Sequence, residues 1–326
     1  TLPKPIVKLT SLTELNLGGN LLVTLPESIA ALTQMKTLCL YGNKFTTLPK
    51  PIVKLTSLTE LNLSGSQLVT LPDSTAALTA LKDLKLSYNK LVTLPDSIAA
   101  MTALENLNLD SNKLVTLPDS IAALTALKDL NLNNNKFTTL PKPIVKLTSL
   151  TKLDLSKNQL VTLPPSIAAL TALYQLCLPY NQIVTLPESI AALTQIKKLH
   201  LFNNKFTTFP KPIVKLTSLT ELYLGENQLT TLPDSIAALA ALGNLGLGGN
   251  QLVTLPASIA ALTALELLIL DRNQIVALPD SMAALTALNE LYLDRNPLAK
   301  PPSSAVKAWL MALEAGGCEM EIPDEW

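Results

Sequence analysis

Histidine is nearly missing from this chain of 326 residues, and cysteine is scarce. There is one histidine, His200, and there are three cysteines, Cys39, Cys177 and Cys318. A zinc site requires several histidine or cysteine ligands that converge on one point, and three widely spaced cysteines are not a disulfide framework. The sequence therefore predicts no bound metal or cofactor, and its cysteine usage favours a reducing compartment such as the cytoplasm.

The chain also lacks an excess of charge and a long apolar run. It contains 25 Lys plus Arg residues and 25 Asp plus Glu residues. Nothing in this balance indicates nucleic acid or an anionic membrane surface as a partner. No apolar run approaches the roughly 20 residues that span a bilayer, and no signal-peptide pattern opens the chain. We therefore expect neither a nucleic-acid partner nor a membrane partner.

Leucine is abundant instead, and it recurs with a period of 23 residues. Steps of 23 from Asn20 reach thirteen positions, which are all Asn except Ser66. Leu lies five and three residues before every one of these positions, and Pro lies six residues after each. The unit reads L-x-x-L-x-L-x-x-N-x-L-x-x-L-P-x-x-I-x-x-L. Such a fixed period is typical of a stacked repeat architecture, and we number its thirteen rungs from Asn20 onwards.

Each part of the unit has a structural role. The L-x-L core predicts a short strand whose Leu side chains share one face. One strand cannot bury that face alone, so stacked rungs form a parallel sheet over a continuous leucine core. The Asn amide both donates and accepts hydrogen bonds, so it bridges rungs where the backbone leaves the sheet. The L-P pair then turns the chain into one helical or 3-10 turn.

Rung three departs from this unit at two positions. Ser66 replaces the Asn, and Thr75 replaces the Ile that most rungs carry. A shorter polar side chain and a smaller apolar one predict a local weak point in the stack.

The pattern resembles the leucine-rich repeat family over about residues 1–302. The 23-residue unit with L-P-x-x-I is similar to the subclass of plant intracellular Ras-group-related proteins and Roco proteins, and the exit N-P-L-x-x-P-P, residues 296–302, is similar to the last rung of intracellular members. The resemblance implies an α/β solenoid. This is a leucine-rich repeat horseshoe with a concave parallel β-sheet of about 13 strands and short helical or 3-10 turns on the convex side. It also implies that the concave sheet binds proteins.

The two ends of the chain differ from the repeats. Residues 303–326 are predicted to form a C-terminal capping helix and tail, because four apolar residues of Ser303–Ala315 share one helical face and two glycines follow. A partner-binding helix is the alternative. At the N-terminus the apolar residues of the first rung lie on an open end, and repeat arrays need polar caps. We expect that the chain continues upstream or that this end supports dimerisation. The four apolar residues of the helix are Val306, Trp309, Leu310 and Leu313, and those of the N-terminal end are Leu2, Ile6, Leu9 and Leu12.

Two sets of residues invite a chemical interpretation. Cys177 and His200 are 23 residues apart, so they lie side by side as a nucleophile and base would. The face is open and no nucleotide-binding or hydrolase motif occurs, so we interpret them as surface neighbours, with a redox-sensitive thiol or catalysis as alternatives. Four acidic residues of the middle rungs are interleaved with Lys and lack a calcium loop, so a solvated polar face is favoured over a cation site. They are Asp83, Asp110, Asp129 and Asp154.

The residues between the two fixed Leu of each rung point away from the core. The first seven are mostly polar, and the last six are apolar, aromatic or amphipathic. Gly246, Gly248 and Gly249 leave rung eleven bare, which predicts a trough floored by backbone. Exposed aromatic and aliphatic clusters mark interfaces, so we predict that a protein or peptide docks on rungs eight to thirteen, although neutral drift of a surface produces a similar pattern. The predicted partner-binding residues are Cys177, Tyr180, His200, Phe202, Tyr223, Gly246, Leu267, Ile269 and Tyr292.

These observations predict a protein–protein interaction scaffold of intracellular signalling that has no enzymatic activity of its own. One alternative is the recognition or targeting domain of a larger multidomain enzyme, such as a Roco-like GTPase or an effector ligase. Another is a recognition protein of immune or adhesive type.

Overall fold

Each rung contributes one three-residue strand in the computed structural model of the chain, which describes residue 6 and residues 8–323. The strands are centred on the first Leu of the L-x-L core, one residue earlier than predicted, as in Asp83–Lys85 around Leu84. The second Leu still bonds to the next rung, because Leu86 N–H donates to the Asn108 carbonyl at 2.8 Å. The sheet hydrogen bonding thus continues while the backbone already turns.

The chain divides into two compact units, Thr1–Gln159 and Leu160–Trp326. In the first unit the strands pair in parallel with equivalent Leu in register, as Leu84 with Leu107. Its strands are β1 (Glu14–Asn16), β2 (Thr37–Cys39), β3 (Glu60–Asn62), β4 (Asp83–Lys85), β5 (Asn106–Asn108), β6 (Asp129–Asn131) and β7 (Lys152–Asp154). Its 3-10 turns within the described residues are Glu27–Ala31, Lys50–Lys54, Asp73–Ala77, Asp96–Ala100, Asp119–Ala123 and Lys142–Lys146.

The second unit repeats this arrangement and contains the only α-helix of the described residues, α1 (Ser304–Ala315), after its last rung. Its strands are β8 (Gln175–Cys177), β9 (Lys198–His200), β10 (Glu221–Tyr223), β11 (Asn244–Gly246), β12 (Leu267–Ile269), β13 (Glu290–Tyr292) and β14 (Glu319–Glu321). Its 3-10 turns are Pro165–Ala169, Glu188–Ala192, Lys211–Lys215, Asp234–Ala238, Ala257–Ala261 and Asp280–Ala284.

The core of each unit is a stack of leucines whose backbone turns are held by the buried Asn residues. Asn112, on rung five, illustrates the pattern: its amide nitrogen donates to the Leu86 carbonyl of the preceding rung and to the Leu109 carbonyl, both at 3.0 Å. Its amide oxygen accepts the Leu91 N–H at 3.0 Å. The predicted bridge between rungs is therefore present, and it satisfies backbone groups that the turn leaves without sheet partners.

The residue before each Asn adopts a left-handed backbone conformation, which the sequence analysis missed. Positive φ is uncommon for residues other than Gly, yet Tyr180, Glu226 and Arg272 have φ values of 54°, 52° and 51°. The first three rungs and rung eleven have Gly at this position, as in Gly249 with a φ of 68°. This conformation turns the chain away from the strand direction just before the Asn side chain enters the core.

The predicted weak point at rung three is visible as an unsatisfied hydroxyl. Ser66 is buried, and its Oγ has no hydrogen-bond partner within the described part of the chain. Thr75 is also buried, but its hydroxyl donates to the Pro72 carbonyl at 2.7 Å. The loss of stability that rung three causes is therefore expected to come mainly from Ser66.

Ser66→Asn is expected to stabilise the chain by about 1–2 kcal/mol, because an amide at this position satisfies buried backbone groups as it does on the other rungs. Urea denaturation followed by circular dichroism measures the change. The control Ser57→Asn alters a half-buried turn residue and is expected to stay within about 0.5 kcal/mol of the parent. Equal midpoints for both variants would contradict this account of rung three.

The C-terminal helix covers the last rung. Ser303 is the N-cap, and its hydroxyl accepts the Val306 N–H at 3.2 Å. The four apolar residues of the predicted face, including Trp309, are all buried. The strand β14, which the sequence did not indicate, follows the helix and pairs in parallel with β13.

The N-terminal end shows the exposure expected of an open rung, since 54% of the Leu9 side chain is accessible. Leu2 lies outside the described residues. Dimerisation through this end and the division at residue 302 stay predictions.

Candidate functional site on the sheet face

The side of the sheet opposite the leucine core, called the sheet face below, carries the predicted binding residues of the second unit. The central Leu of each strand from β8 to β13 is buried, so the residues on either side of it point to the opposite face. The strand registers place the third residues of β8–β13 next to one another in one continuous row. This outward row consists of Cys177, His200, Tyr223, Gly246, Ile269 and Tyr292.

The other three predicted residues lie beside the outward row. Leu267 is the first residue of β12 and is half-buried. The rings of Tyr180 and Phe202 meet edge to face with centroids 5.2 Å apart, a geometry that aromatic pairs prefer. The structure therefore brings all nine predicted residues onto the sheet face of one unit, while their role in binding stays a prediction.

The bare rung eleven is covered in part by an aromatic ring, which corrects the predicted backbone floor. A Cβ atom on Gly246 would lie 2.5 Å from Cδ1 of Tyr223, so the Tyr223 ring lies over this glycine. The Tyr223 hydroxyl accepts a 3.5 Å hydrogen bond from the Asn244 amide, and burial raises the pKa of the phenol. A depression of about 140 Å³ remains between Phe202 and Ile269.

Charged side chains meet across the glycines of the same rung. Arg272 Nη1 lies 3.0 Å from Glu226 Oε1, and its Nε lies 2.8 Å from Asp271 Oδ2. The Asp271 carboxylate lies where a Cβ of Gly248 would be, and the Glu226 carboxylate lies 2.7 Å from the Cβ position of Gly249. Glycine at both positions therefore allows rungs ten and twelve to pair directly, and the hydrogen bond to Asp271 raises the pKa of Arg272.

Cys177 and His200 are in contact, as their spacing predicts, and a third residue joins them. Cys177 Sγ lies 3.6 Å from His200 Nδ1, and His200 Nε2 lies 3.5 Å from Glu221 Oε2. Glu221 also pairs with Lys198 at 2.7 Å. The order thiol, imidazole, carboxylate is that of a nucleophile, a base and an orienting acid.

Burial of the thiol argues against a catalytic interpretation of that order. Cys177 is only 7% exposed, so it is not the surface neighbour that the sequence analysis expected. Its sulfur accepts a 3.2 Å hydrogen bond from the Gln175 amide, and the His200 ring packs edge to face on Tyr223 at 5.1 Å. These contacts make the group a packed support for Tyr223.

The sheet face of the first unit is polar, as predicted. A depression of about 250 Å³ is lined by Asp83, Lys85, Asp129 and three Asn residues. Burial raises the pKa of Asp129, with Lys152 acting in the opposite direction. Among the described residues, no group of three His, Cys, Asp or Glu side chains converges as a metal site would require.

Two surface features were missed by the sequence analysis. Tyr88 in the first unit is 65% exposed. It directly precedes Asn89, the repeat Asn of rung four, and this position could have indicated its exposure. At the C-terminal end, a depression of about 720 Å³ lies between the loop Lys300–Pro302, α1 and β14. It is larger than the depression at rung eleven, but it is formed by the end cap and lies apart from the outward row.

Sequence comparison shows where these repeats occur in other proteins. Models of leucine-rich repeats match residues 56–114, 207–252 and 245–298, and residues 11–32, and a leucine-rich repeat region model matches residues 119–225. A leucine-rich repeat protein of Leptospira interrogans is 34% identical, and the alignment covers 99% of this chain and 93% of that chain with a TM-score of 0.78. The chain belongs to the leucine-rich repeat family. The predicted fold class is thereby confirmed.

Other leucine-rich repeat structures are similar at lower identity. An internalin of Listeria monocytogenes is 26% identical, with 97% of this chain and 88% of that chain covered and a TM-score of 0.83. A plant peptide hormone receptor, solved in complex with RGF2, is 27% identical, with 90% of this chain and 49% of that chain covered and a TM-score of 0.75. No curated protein sequence matches the chain. Within the described residues, no helix has the length and apolar character to cross a membrane.

Proposed function

We propose that this leucine-rich repeat chain is a recognition scaffold that binds a protein or peptide on the sheet face of rungs eight to thirteen. The observation that carries the proposal is the outward row, where the half-buried Tyr223 and Ile269 line a depression and the half-buried Tyr292 lies on the next strand. Aromatic and aliphatic side chains in such positions supply most of the binding energy at protein interfaces. The strands beneath them are held in register by parallel pairing, so we expect little free energy to be lost in ordering them on binding.

Two similar structures support a protein or peptide as the partner. The plant peptide hormone receptor was solved in complex with RGF2, and Toll of Drosophila, 26% identical with a TM-score of 0.78, was solved with Spatzle. This chain spans about half of each of those chains, 49% and 43%. We transfer from them only the class of partner, which is a folded protein or a peptide segment.

We further propose that the chain acts in the cytoplasm in signalling, in the manner of the plant intracellular Ras-group-related and Roco-type repeats. The scarcity of cysteine favours this location, and so does the motif N-P-L-x-x-P-P at residues 296–302, which resembles the last rung of intracellular family members. A second candidate, a recognition protein at a cell surface, is favoured by the similarity to Toll and to plant membrane receptors. Imaging of the tagged full-length gene product distinguishes the two locations.

The proposed surface is tested with a double variant and a matched control. Tyr223→Ala with Ile269→Ser removes one ring and one aliphatic side chain from the outward row. Tyr88→Ala with Val92→Ser makes the same exchange at exposed residues of the first unit. Both variants are expected to retain the circular dichroism spectrum of the parent, because none of the four residues belongs to the leucine core.

The measurement is the dissociation constant of a partner captured by the intact chain, with crosslinks mapped to its surface. We expect the first variant to bind at least about tenfold more weakly, since loss of two central apolar contacts costs more than about 1.4 kcal/mol. The control variant is expected to bind like the parent. Equal binding by all three proteins, or crosslinks confined to the 3-10 turns, would refute this surface.

A further inference from the structure

The sheet face of the last five strands has a one-sided charge. The outward positions of β10–β14 are ten residues, and they include four Glu and no Lys, Arg or His. The whole chain is neutral, with 25 charges of each sign, so this imbalance is local. The ten residues are Glu221, Tyr223, Asn244, Gly246, Leu267, Ile269, Glu290, Tyr292, Glu319 and Glu321.

Three of these carboxylates lie together at the end of the sheet. Glu290 and Glu319 are opposite each other in the register of β13 and β14, and Tyr292 is opposite Glu321. In the described part of the chain, none of these three carboxylates forms an ion pair with Lys or Arg, whereas Glu221 pairs with Lys198. The pKa of Tyr292 is raised, first by its hydrogen bond to Glu290 and further by the charges of Glu319 and Glu321. The charges of Glu290, Glu319 and Glu321 therefore add up around the Tyr292 hydroxyl.

The nearby arginines do not compensate for this charge. Arg272 is held between Glu226 and Asp271, and Arg295 Nε lies 3.4 Å from Asp294 Oδ2. Each of the two arginines is thus already paired with an acidic side chain. The field at β13–β14 remains negative, and it favours a cationic group on the partner.

We propose that the partner segment is a cationic peptide stretch that places an apolar side chain in the depression at Gly246 and a Lys or Arg over Glu319 and Glu321. The proposal rests on the proposed function and specifies its partner. Gly246 and Glu321 are three strands apart in the register of β11–β14, which corresponds to about 14 Å at about 4.8 Å per strand. An extended peptide advances about 3.3–3.6 Å per residue, so the cation lies about four residues from the apolar side chain.

Synthetic peptides test this spacing and charge. The probe is a capped peptide with a central Phe, a Lys at each end and a Gly-Ser-Gly spacer on either side, so that each Lys is about four residues from the Phe. A second peptide has Glu in place of both Lys, and a third has both Lys directly beside the Phe. Binding is followed by shifts of the Leu267 and Ile269 methyl NMR signals of the full chain, because Ile269 lines the depression and Leu267 lies on the same strand.

The spaced Lys peptide is expected to bind at least about fivefold more tightly than the Glu peptide at low salt, and the ratio is expected to fall as salt screens the charges. It is also expected to bind more tightly than the peptide with adjacent Lys. The variant Glu319→Gln with Glu321→Gln is expected to remove most of the preference for Lys. The control Asp73→Asn with Asp119→Asn changes the net charge equally at exposed 3-10 turns and is expected to keep it.

The outcomes separate this inference from the proposed function. Equal shifts with the Lys and Glu peptides overturn the cationic partner and leave the apolar surface in place. A preference for Lys that persists in the Glu319→Gln, Glu321→Gln variant assigns the effect to another surface and also overturns the inference. If no peptide shifts the Leu267 and Ile269 signals, the peptide chemistry is wrong, and the capture experiment with the Tyr223→Ala, Ile269→Ser variant still decides the proposed function.

Discussion

Asn112→Ala is expected to lower the free energy of unfolding by about 3–5 kcal/mol. The side chain bonds to the Leu86 and Leu109 carbonyls and to the Leu91 N–H, and it is only 8% exposed. Removing the amide leaves the buried Leu91 N–H without its partner, which costs about 1–3 kcal/mol. The Leu86 and Leu109 carbonyls each lose one of two amide donors and keep Asn89 and Asn135 respectively, and each lost hydrogen bond contributes about 0.5–1.5 kcal/mol. The deletion also leaves a cavity that the stacked leucines cannot fill without breaking register.

Chemical denaturation of Asn112→Ala is compared with that of Asn106→Ala, an exposed Asn on the same rung. The control is expected to change stability by less than about 0.5 kcal/mol. Hydrogen exchange of the Leu91 amide supplies a local measurement, because its partner is lost in the variant. A midpoint of Asn112→Ala indistinguishable from that of the control would show that the amide bridges contribute nothing beyond packing.

Trp309→Ala is expected to destabilise the second unit by about 3–5 kcal/mol. Trp309 is 4% exposed, and its indole N–H donates to the Leu285 carbonyl at 3.1 Å. The ring is the largest side chain that α1 places over the last rung, and a repeat array without its cap exposes its core. Because β14 is joined to the helix, loss of the cap also releases the strand that carries Glu319 and Glu321.

The conservative variant Trp309→Phe distinguishes packing from hydrogen bonding. It keeps most of the buried apolar surface but leaves the Leu285 carbonyl without the indole, so a loss of about 1–2 kcal/mol is expected. Hydrogen exchange of β13 and β14 is expected to accelerate in the Ala variant and much less in the Phe variant. Unchanged exchange at β13 in the Ala variant would mean that the helix is not the cap of the stack.

These two sites explain why the sheet face can vary without loss of the fold. The leucines and the Asn bridges hold each strand from the core side, and the helix closes the end. Substitutions such as Tyr223→Ala therefore alter the surface more than the fold. This separation is what a recognition scaffold requires, because specificity then depends on residues that stability does not.

The sequence by itself determined the repeat, the direction of the side chains and the membership of the outward row. A constant period of 23 residues places equivalent residues in register, so the neighbours of Tyr223 and Ile269 on adjacent strands follow from counting. Alternation along a strand then decides which residues face the core. The Asn bridges followed from the same count, because a buried turn must satisfy its backbone groups.

Only the tertiary structure decided which side chains contact one another on the sheet face. The Tyr223 ring lies over Gly246, Arg272 reaches across a whole rung to Glu226, and Glu221 joins the Cys177–His200 pair. The chain after the helix returns as β14 and adds two carboxylates to the face. Such contacts depend on side-chain rotamers and on the space that neighbouring rungs leave, and a count of residues along the chain contains neither.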